Sequence, residues 1–343
     1  MKGNFFLGNG RFEVRSLTDL TPGLGEVRVR VAACGVCGTD VHIYHGEKGS
    51  AEVIPPVILG HEFSGVVEAV GPGVKHVAIG DHVAVDPNMY CGVCRSCRRG
   101  KKQLCENLRA YGVNINGGFA EACVVRQEQC YRLDPSVPFA WGAMSEPLAC
   151  AIHGIGRAGI HYGDIVCVIG GGAVGLLMVQ LAKIAGASAV ILSEPVRIRR
   201  EIGLQLGADA AIDPVHEDLS AGIDRIVGHD AVDVIIECVG TSIALKQALL
   251  IAKRGSTLVL FSVHSPDERI DISPFEIYQK ELTITGSMID PDTFGRAVSL
   301  INNGRIQLAP ILTHSFPVEE LEQAILTQQG KESIKVLVEP ANE

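Results

Sequence analysis

The chain has 343 residues, 47% hydrophobic and 20% charged, which is ordinary globular material with enough length for two domains and a sizeable core. Its 39 acidic against 30 basic side chains give a formal charge of −9, which repels phosphate backbones and anionic lipids and argues against nucleic acid or membrane partners. The amino terminus, MKGNFFLGNGRFEV, lacks a signal-like apolar run and no stretch approaches the roughly 20 apolar residues of a membrane span, so a cytoplasmic protein is expected.

Up to about residue 145 short apolar runs such as Glu26 to Ala33, Ser64 to Val70 and His82 to Val85 alternate with Gly, Pro and Asp, the pattern of a β-rich, irregular domain. Helix-compatible sequence from Trp141 to Ile155 leads into a buried strand, a glycine turn and a helix between Asp164 and Ser188. Strand-like runs then follow at Ala189 to Ser193, Val232 to Cys238, Thr257 to Ser262 and Leu282 to Gly286, with helical patterns at Arg197 to Leu206 and Ile243 to Lys253. Strands alternating with helices at this interval predict an α/β, doubly wound parallel sheet. Beyond Asp290 the sequence predicts two amphipathic helices and a last strand, Ser333 to Val338, which either extends the sheet domain or returns to the first.

In GGGAVG, from Gly170 to Gly175, the glycines occupy the first, third and sixth positions of G-x-G-x-x-G, directly after the apolar strand Ile165 to Ile169 and opening a helix. Gly170 is expected to make the tight turn, Gly172 to let the backbone approach a pyrophosphate and Gly175 to allow close helix packing, with Ala173 and Val174 in the same site. The second strand ends at Glu194, where a carboxylate suits the adenosine ribose of NAD and repels the extra phosphate of NADP, although Arg197, Arg199 and Arg200 close by pull the other way. Val239 and Ser262, at the ends of later strands, complete the expected cofactor contacts.

Eleven cysteines in a long enzyme-like chain point to thiolate ligation rather than a disulfide scaffold. Cys91, Cys94, Cys97 and Cys105 form C-x2-C-x2-C-x7-C, spacing that closes a tetrahedral Zn²⁺ shell with no position left for substrate; an iron–sulfur cluster or a redox pair are the rivals. Cys37 in GVCGTDVH, and His61 and Glu62 in GHEFSG, offer a thiolate, an imidazole and a carboxylate for a catalytic zinc with an open position, and Glu146 in SEPLAC offers a further oxygen.

The succession GVCGTDVH (35 to 42), GHE (60 to 62), GD-x-V (80 to 83), the four-cysteine lobe, Glu146-Pro147 and GGGAVG resembles the zinc-containing medium-chain dehydrogenases over nearly the whole chain. Glu146 stands where classical alcohol dehydrogenases have a second zinc-bound cysteine, so the polyol branch, with its sorbitol, sugar-alcohol-phosphate, sugar-acid and threonine dehydrogenases, is the nearest. The resemblance implies a GroES-like catalytic domain, residues 1–147 with 290–343 returning to it, and a Rossmann domain at 148–289. It implies a catalytic zinc on Cys37, His61, Glu62 and Glu146, with Glu146 either binding the metal or holding its water, a structural zinc on the four cysteines, and adenosine contacts from Glu194 and Arg199. The expected reaction is hydride transfer from a secondary alcohol of a polyhydroxylated small molecule to NAD, the proton leaving through Thr39 and the cofactor ribose to His42. A homo-oligomer, dimer or tetramer, is expected. An L-threonine 3-dehydrogenase-like enzyme and a non-catalytic NAD-binding protein on the same fold are the alternatives, while a zinc-ribbon nucleic-acid binder rests only on the basic stretch Arg95 to Lys102. Tyr44, Arg109, Tyr111, Asn114 and Phe119 are candidate pocket residues that principle alone does not align with one substrate.

Overall fold

A computed structural model describes residues 1–18, 20–47, 52–229 and 231–340, which form two compact units, Met1–Ala149 with Asp290–Glu343 and Cys150–Ile289. The first runs through β1 (Lys2–Gly8), β2 (Arg11–Ser16), β3 (Glu26–Gly35), α1 (Gly38–Tyr44), β4 (Val57–Ile58), β5 (Glu62–Val70), β6 (His82–Val85), β7 (Asn88–Met89), α2 (Arg95–Arg98), β8 (Arg109–Ala110), β9 (Ala122–Arg126), β10 (Cys130–Arg132) and α3 (Phe139–Gly142). Helix α4 (Ser145–Ala158) carries the chain onward. The second unit holds β11 (Ile165–Ile169), α5 (Ala173–Ala185), β12 (Ala189–Ser193), α6 (Arg197–Gln205), β13 (Ala210–Ile212), α7 (Leu219–Val227), β14 (Val234–Glu237), α8 (Ser242–Ile251), β15 (Thr257–Leu260), α9 (Pro274–Lys280) and β16 (Thr283–Gly286). Helix α10 (Phe294–Asn302), β17 (Leu312–Phe316), α11 (Leu321–Gln328) and β18 (Lys335–Val338) belong to the first unit again.

In the first unit the main sheet has the order β10-β6-β5-β3-β18-β17, with β9 also pairing β3. Period-two alternation explains its central strand: Val27, Val29 and Val31 are buried, while Arg28 and Arg30 point outward and share the Glu68 carboxylate at 3.3 and 3.1 Å. The tail does return, since Leu337 and Val338 of β18 pair antiparallel with Gly35 and Cys34. Helix α10 buries Phe294, Ala297, Val298 and Ile301, the i, i+3, i+4, i+7 stripe of an amphipathic helix.

The second unit is a six-stranded sheet, order β13-β12-β11-β14-β15-β16, parallel throughout. Numbered within the unit this is 3-2-1-4-5-6, the Rossmann order, whose ligand crevice opens at the carboxyl edge where the winding reverses. Strands β11, β12 and β14 read as near-continuous apolar runs, with a polar residue only at the carboxyl ends of β12 and β14, because both faces are covered. Among the described residues no helix is long and apolar enough to cross a membrane.

Candidate active site

Cys37 is the N-cap of α1, His61 sits in the turn before β5, and Glu62 is the first residue of β5, paired in register with Gly35. One ligand atom from each of the three lies within 4.8 Å of the others. His61 and Glu62 are buried, at 5% and 1% exposure, and Glu62 Oε1 has no hydrogen-bond partner. A desolvated carboxylate oxygen is costly unless a cation takes its lone pairs, so the trio fits a zinc ion of the thiolate, imidazole and carboxylate type.

Two further residues build this site, and sequence reading passed over both. Asp40, fully buried in the first turn of α1, accepts the Cys37 N–H at 2.8 Å through Oδ2 and presents Oδ1 to His61 Nδ1 at 3.8 Å. Burial pushes its carboxyl up to about 6, against the opposing pull of His61. It therefore orients two of the three donors at once. The GTD of GVCGTDVH contains the signal, because an acid three residues after an N-cap is a capping-box residue. Lys335 of β18, 3% exposed, forms an ion pair with Glu62 Oε2. A Cβ on Gly35 would collide with that carboxylate and meet Lys335 Cε at 2.8 Å, so glycine at this strand end makes room for the pair. No local pattern marks Lys335, which reaches the site only through the β18–β3 pairing.

Glu146, in the first turn of α4 and 7% exposed, does not join the trio within 4.8 Å. Its charge acts on His61 and Lys335, and its carboxylate lies within 4.8 Å of that of Asp290. Asp290 and Asp86 are buried and tied through Asn88, whose side-chain amide donates to Asp290 Oδ1 at 2.6 Å and whose backbone N–H donates to Asp86 Oδ1 at 2.9 Å. Burial, with neighbouring acids, pushes Asp86 up to about 7 and Asp290 well above the ordinary carboxyl range.

Thr39 is half-buried in α1, and His42, in its last turn, pairs through Nδ1 with Glu47 Oε2. Of the five pocket candidates, Phe119 is core, the Tyr111 hydroxyl accepts the Arg126 N–H, Asn114 fastens its own turn to Ala110 and Leu108, and Tyr44 donates to Glu322. Only Arg109 is exposed, on the wall of an open cleft with Leu17, Ile58 and Asn116.

The sulfurs of Cys91, Cys94, Cys97 and Cys105 also lie within 4.8 Å of one another. Cys94 caps α2, and the N–H groups of Cys91, Cys94 and Cys97 donate to the sulfurs of Cys105, Cys91 and Cys94 at 3.4, 3.4 and 3.5 Å. Such donors favour thiolate: the Val93 and Cys94 N–H groups bring Cys91 down to about 6, those of Cys97 and Glu106 lower Cys94, and burial pushes Cys97 up to about 12.

In the second unit Gly170 adopts φ +102° immediately after β11, and a Cβ on Gly175 would collide with the Gly170 carbonyl. A Cβ on Gly172, the N-cap of α5, would meet nothing within 4 Å, leaving an open approach to the helix amino terminus at Ala173 and Val174. Glu194 is 3% exposed, and both its oxygens are in use: Oε2 accepts the Gly171 N–H at 2.6 Å and Oε1 the Val196 N–H at 2.8 Å. Its first task is thus to brace the glycine turn. Arg200 is tied to the Glu194 and Pro195 carbonyls and to Asp213, Arg199 is half-buried, and Arg197 is exposed beside Glu201. Val239 and Ser262 follow β14 and β15 at the same carboxyl edge.

Residues 23–135 match the alcohol dehydrogenase GroES-like domain family, and residues 173–303 match the zinc-binding dehydrogenase family. The chain belongs to the zinc-containing medium-chain dehydrogenases, in their polyol branch. Within this family it is 35% identical to a 2-dehydro-3-deoxy-L-galactonate 5-dehydrogenase of Pseudoalteromonas atlantica and 34% identical to a sorbitol dehydrogenase of Halalkalibacterium halodurans, covering 97% of each chain in both comparisons. It is 37% identical to an L-threonine 3-dehydrogenase of Pyrococcus abyssi over 90% of each chain. A zinc-binding dehydrogenase from Sinorhizobium meliloti 1021, solved with NADP bound, superposes with a TM-score of 0.94 at 39% identity, covering 99% of each chain. The protein is an oxidoreductase of GroES-like plus Rossmann architecture.

Proposed function

We propose that this dehydrogenase oxidises a secondary alcohol of a polyol, sugar-alcohol phosphate or sugar acid, with NAD as hydride acceptor and a zinc ion held by Cys37, His61 and Glu62. The convergence of those three donors, one of them with a buried oxygen lacking a hydrogen bond, carries the reading. Zinc supplies Lewis-acid polarisation of the substrate hydroxyl, and NAD supplies the electron-pair sink. Asp40 keeps Cys37 and His61 in register, Glu146 supplies the further carboxylate beside them, Thr39 relays the hydroxyl proton by handing on its own hydroxyl hydrogen as it accepts the substrate's, and His42, paired with Glu47, is the outlet to solvent at the far end of that relay. NADH absorbance measured with a panel of polyols, sugar acids and L-threonine after zinc loading tests this; turnover on none of them by folded, zinc-loaded protein would count against it and favour a non-catalytic NAD binder.

The Cys91, Cys94, Cys97 and Cys105 set is proposed to hold a second, structural zinc, supported by its backbone-stabilised thiolates. Cys97→Ser is expected to lower zinc content by about one ion per chain and to lower thermal stability more than turnover, read by metal analysis and melting curves. Unchanged zinc content would contradict the assignment.

NAD is preferred over NADP in this reading because Glu194 is fixed at the end of β12, where a ribose phosphate would meet its charge. Glu194→Gln removes that charge, and the ratio of NAD to NADP affinities is expected to shrink by about tenfold, or ~1.4 kcal/mol. Equal ratios in both proteins would rule the role out. We also propose a cytoplasmic homo-oligomer, dimer or tetramer. No described strand pairs with the outer edge of β16, and Phe275 and Tyr278 of the preceding helix are exposed, an edge that invites pairing with a second copy. Light scattering should give a mass at least twice the 36.5 kDa of one chain.

A further inference from the structure

We propose that His264 is a positioning residue of the cofactor pocket, strapping the loop after β15 to the loop after β14 by placing one ring nitrogen on each of two carboxylates. The inference rests on the nucleotide-binding reading above and concerns groups of the second unit alone. Glu237 ends β14 fully buried, and its Oε1 accepts the N–H groups of Val239 at 2.7 Å and Gly240 at 2.8 Å. Its Oε2 faces His264 Nε2 at 3.2 Å. The other ring nitrogen, Nδ1, faces Glu268 Oε2 at 3.3 Å, and Glu268 Oε1 accepts the Ser242 N–H at 2.5 Å, at the start of α8. The chain of contacts therefore runs from β14 through the imidazole to α8.

The same two loops touch elsewhere. Ser262 Oγ donates to the Glu237 carbonyl at 3.4 Å, and a Cβ on Gly240 would come within 2.8 Å of the Val263 carbonyl. Val239 and Ser262, the two cofactor contacts expected from sequence, ride on the strapped loops, and Val239 and Val263 remain 48% and 61% exposed. These loops lie at the carboxyl edge of β14 and β15, where doubly wound sheets bind their ligands, and exposed valines there suit the flat face of a nicotinamide ring.

A carboxylate only accepts hydrogen bonds, and a neutral imidazole has a single N–H; only the imidazolium can donate to Glu237 and Glu268 together. Glu268 is held below the usual carboxylate range, first by Ser242 and then by His264. The other charged groups of these elements, Asp267, Arg269 and, on α8, Lys246, are exposed, with Arg269 donating to the Pro266 and Glu268 carbonyls. Strands β11 and β15 bring no acidic or basic side chain to the cluster. The ring held between the two carboxylates closes the strap and fixes the loops on which Val239 and Ser262 ride.

The test is fluorescence titration of NADH into zinc-loaded wild type, His264→Gln and Glu268→Gln, with NAD kinetics on each. His264→Gln should bind NADH about tenfold more weakly, the scale of one hydrogen bond to a charged group, raising KM for NAD and sparing kcat. Glu268→Gln, a change on a partly exposed side chain, should weaken NADH binding in the same direction even if the first variant folds poorly. Wild-type NADH affinity in either folded variant, or a loss that falls on kcat rather than on KM for NAD, would overturn the strap. A folded wild type that binds neither NADH nor NADPH would instead overturn the cofactor reading on which the strap stands.

Discussion

Cys37→Ala should abolish turnover while leaving NADH affinity where it was. The thiolate is the only sulfur in the trio, and its loss leaves His61 and Glu62 as a two-donor set that holds zinc poorly. Losing Lewis-acid stabilisation of several kcal/mol, taken as ~4, corresponds to roughly a thousandfold in kcat/KM. The glycine turn and Glu194 belong to the other compact unit, so NADH fluorescence titration of the same variant should match wild type. Loss of cofactor affinity alongside activity would mean that Cys37 serves the fold rather than the metal.

Lys335→Met should strongly destabilise the metal-free protein. It leaves the Glu62 carboxylate 1% exposed without its counter-charge, and breaking a buried ion pair costs about 3–5 kcal/mol. For a domain of this size that corresponds to a melting temperature lower by about 10 °C. Zinc brings its own positive charge to Glu62, so the deficit should shrink when the protein is loaded with metal, and differential scanning calorimetry of the two forms measures the difference. An equal deficit in both would separate Glu62 from the metal. The sign of the pH dependence is also set. Burial pulls the Lys335 pKa down, but Glu62, Cys37 and Glu146 more than reverse it, so the folded value is raised. Its contribution is complete below the ordinary lysine range and disappears only as pH rises past the raised value, so the destabilisation should be constant through neutral pH.

Much of this site could be read from spacing because its chemistry is local. The glycine turn, the four-cysteine lobe and the pairs Cys37–Thr39 and His61–Glu62 each sit within a few residues, where backbone geometry forces the side chains into known relations. The parallel sheet was equally readable, since strands covered on both faces show as apolar runs. Short or exposed elements escaped: the β1–β2 hairpin, whose second strand buries no residue, the three-residue β13, and the helix α1 that presents Cys37. Lys335 escaped for a different reason. Its partner Glu62 stands on β5, two strands away across β3, a relation that no local periodicity carries. Spacing puts Glu194 just after β12, but its engagement with the Gly171 and Val196 N–H groups depends on a rotamer, which pattern does not reveal.

The return of β18 to β3 also sets an order on synthesis. The Cys150–Ile289 unit is one uninterrupted stretch, able to collapse as soon as it clears the ribosome, whereas the sheet bearing Glu62 waits for a strand that comes after that whole unit in the chain. Until then Glu62 is without its ammonium partner and the nascent ligand sheet has an open edge beside β3. The nucleotide half can therefore mature ahead of the metal half, although most of the metal half is made first.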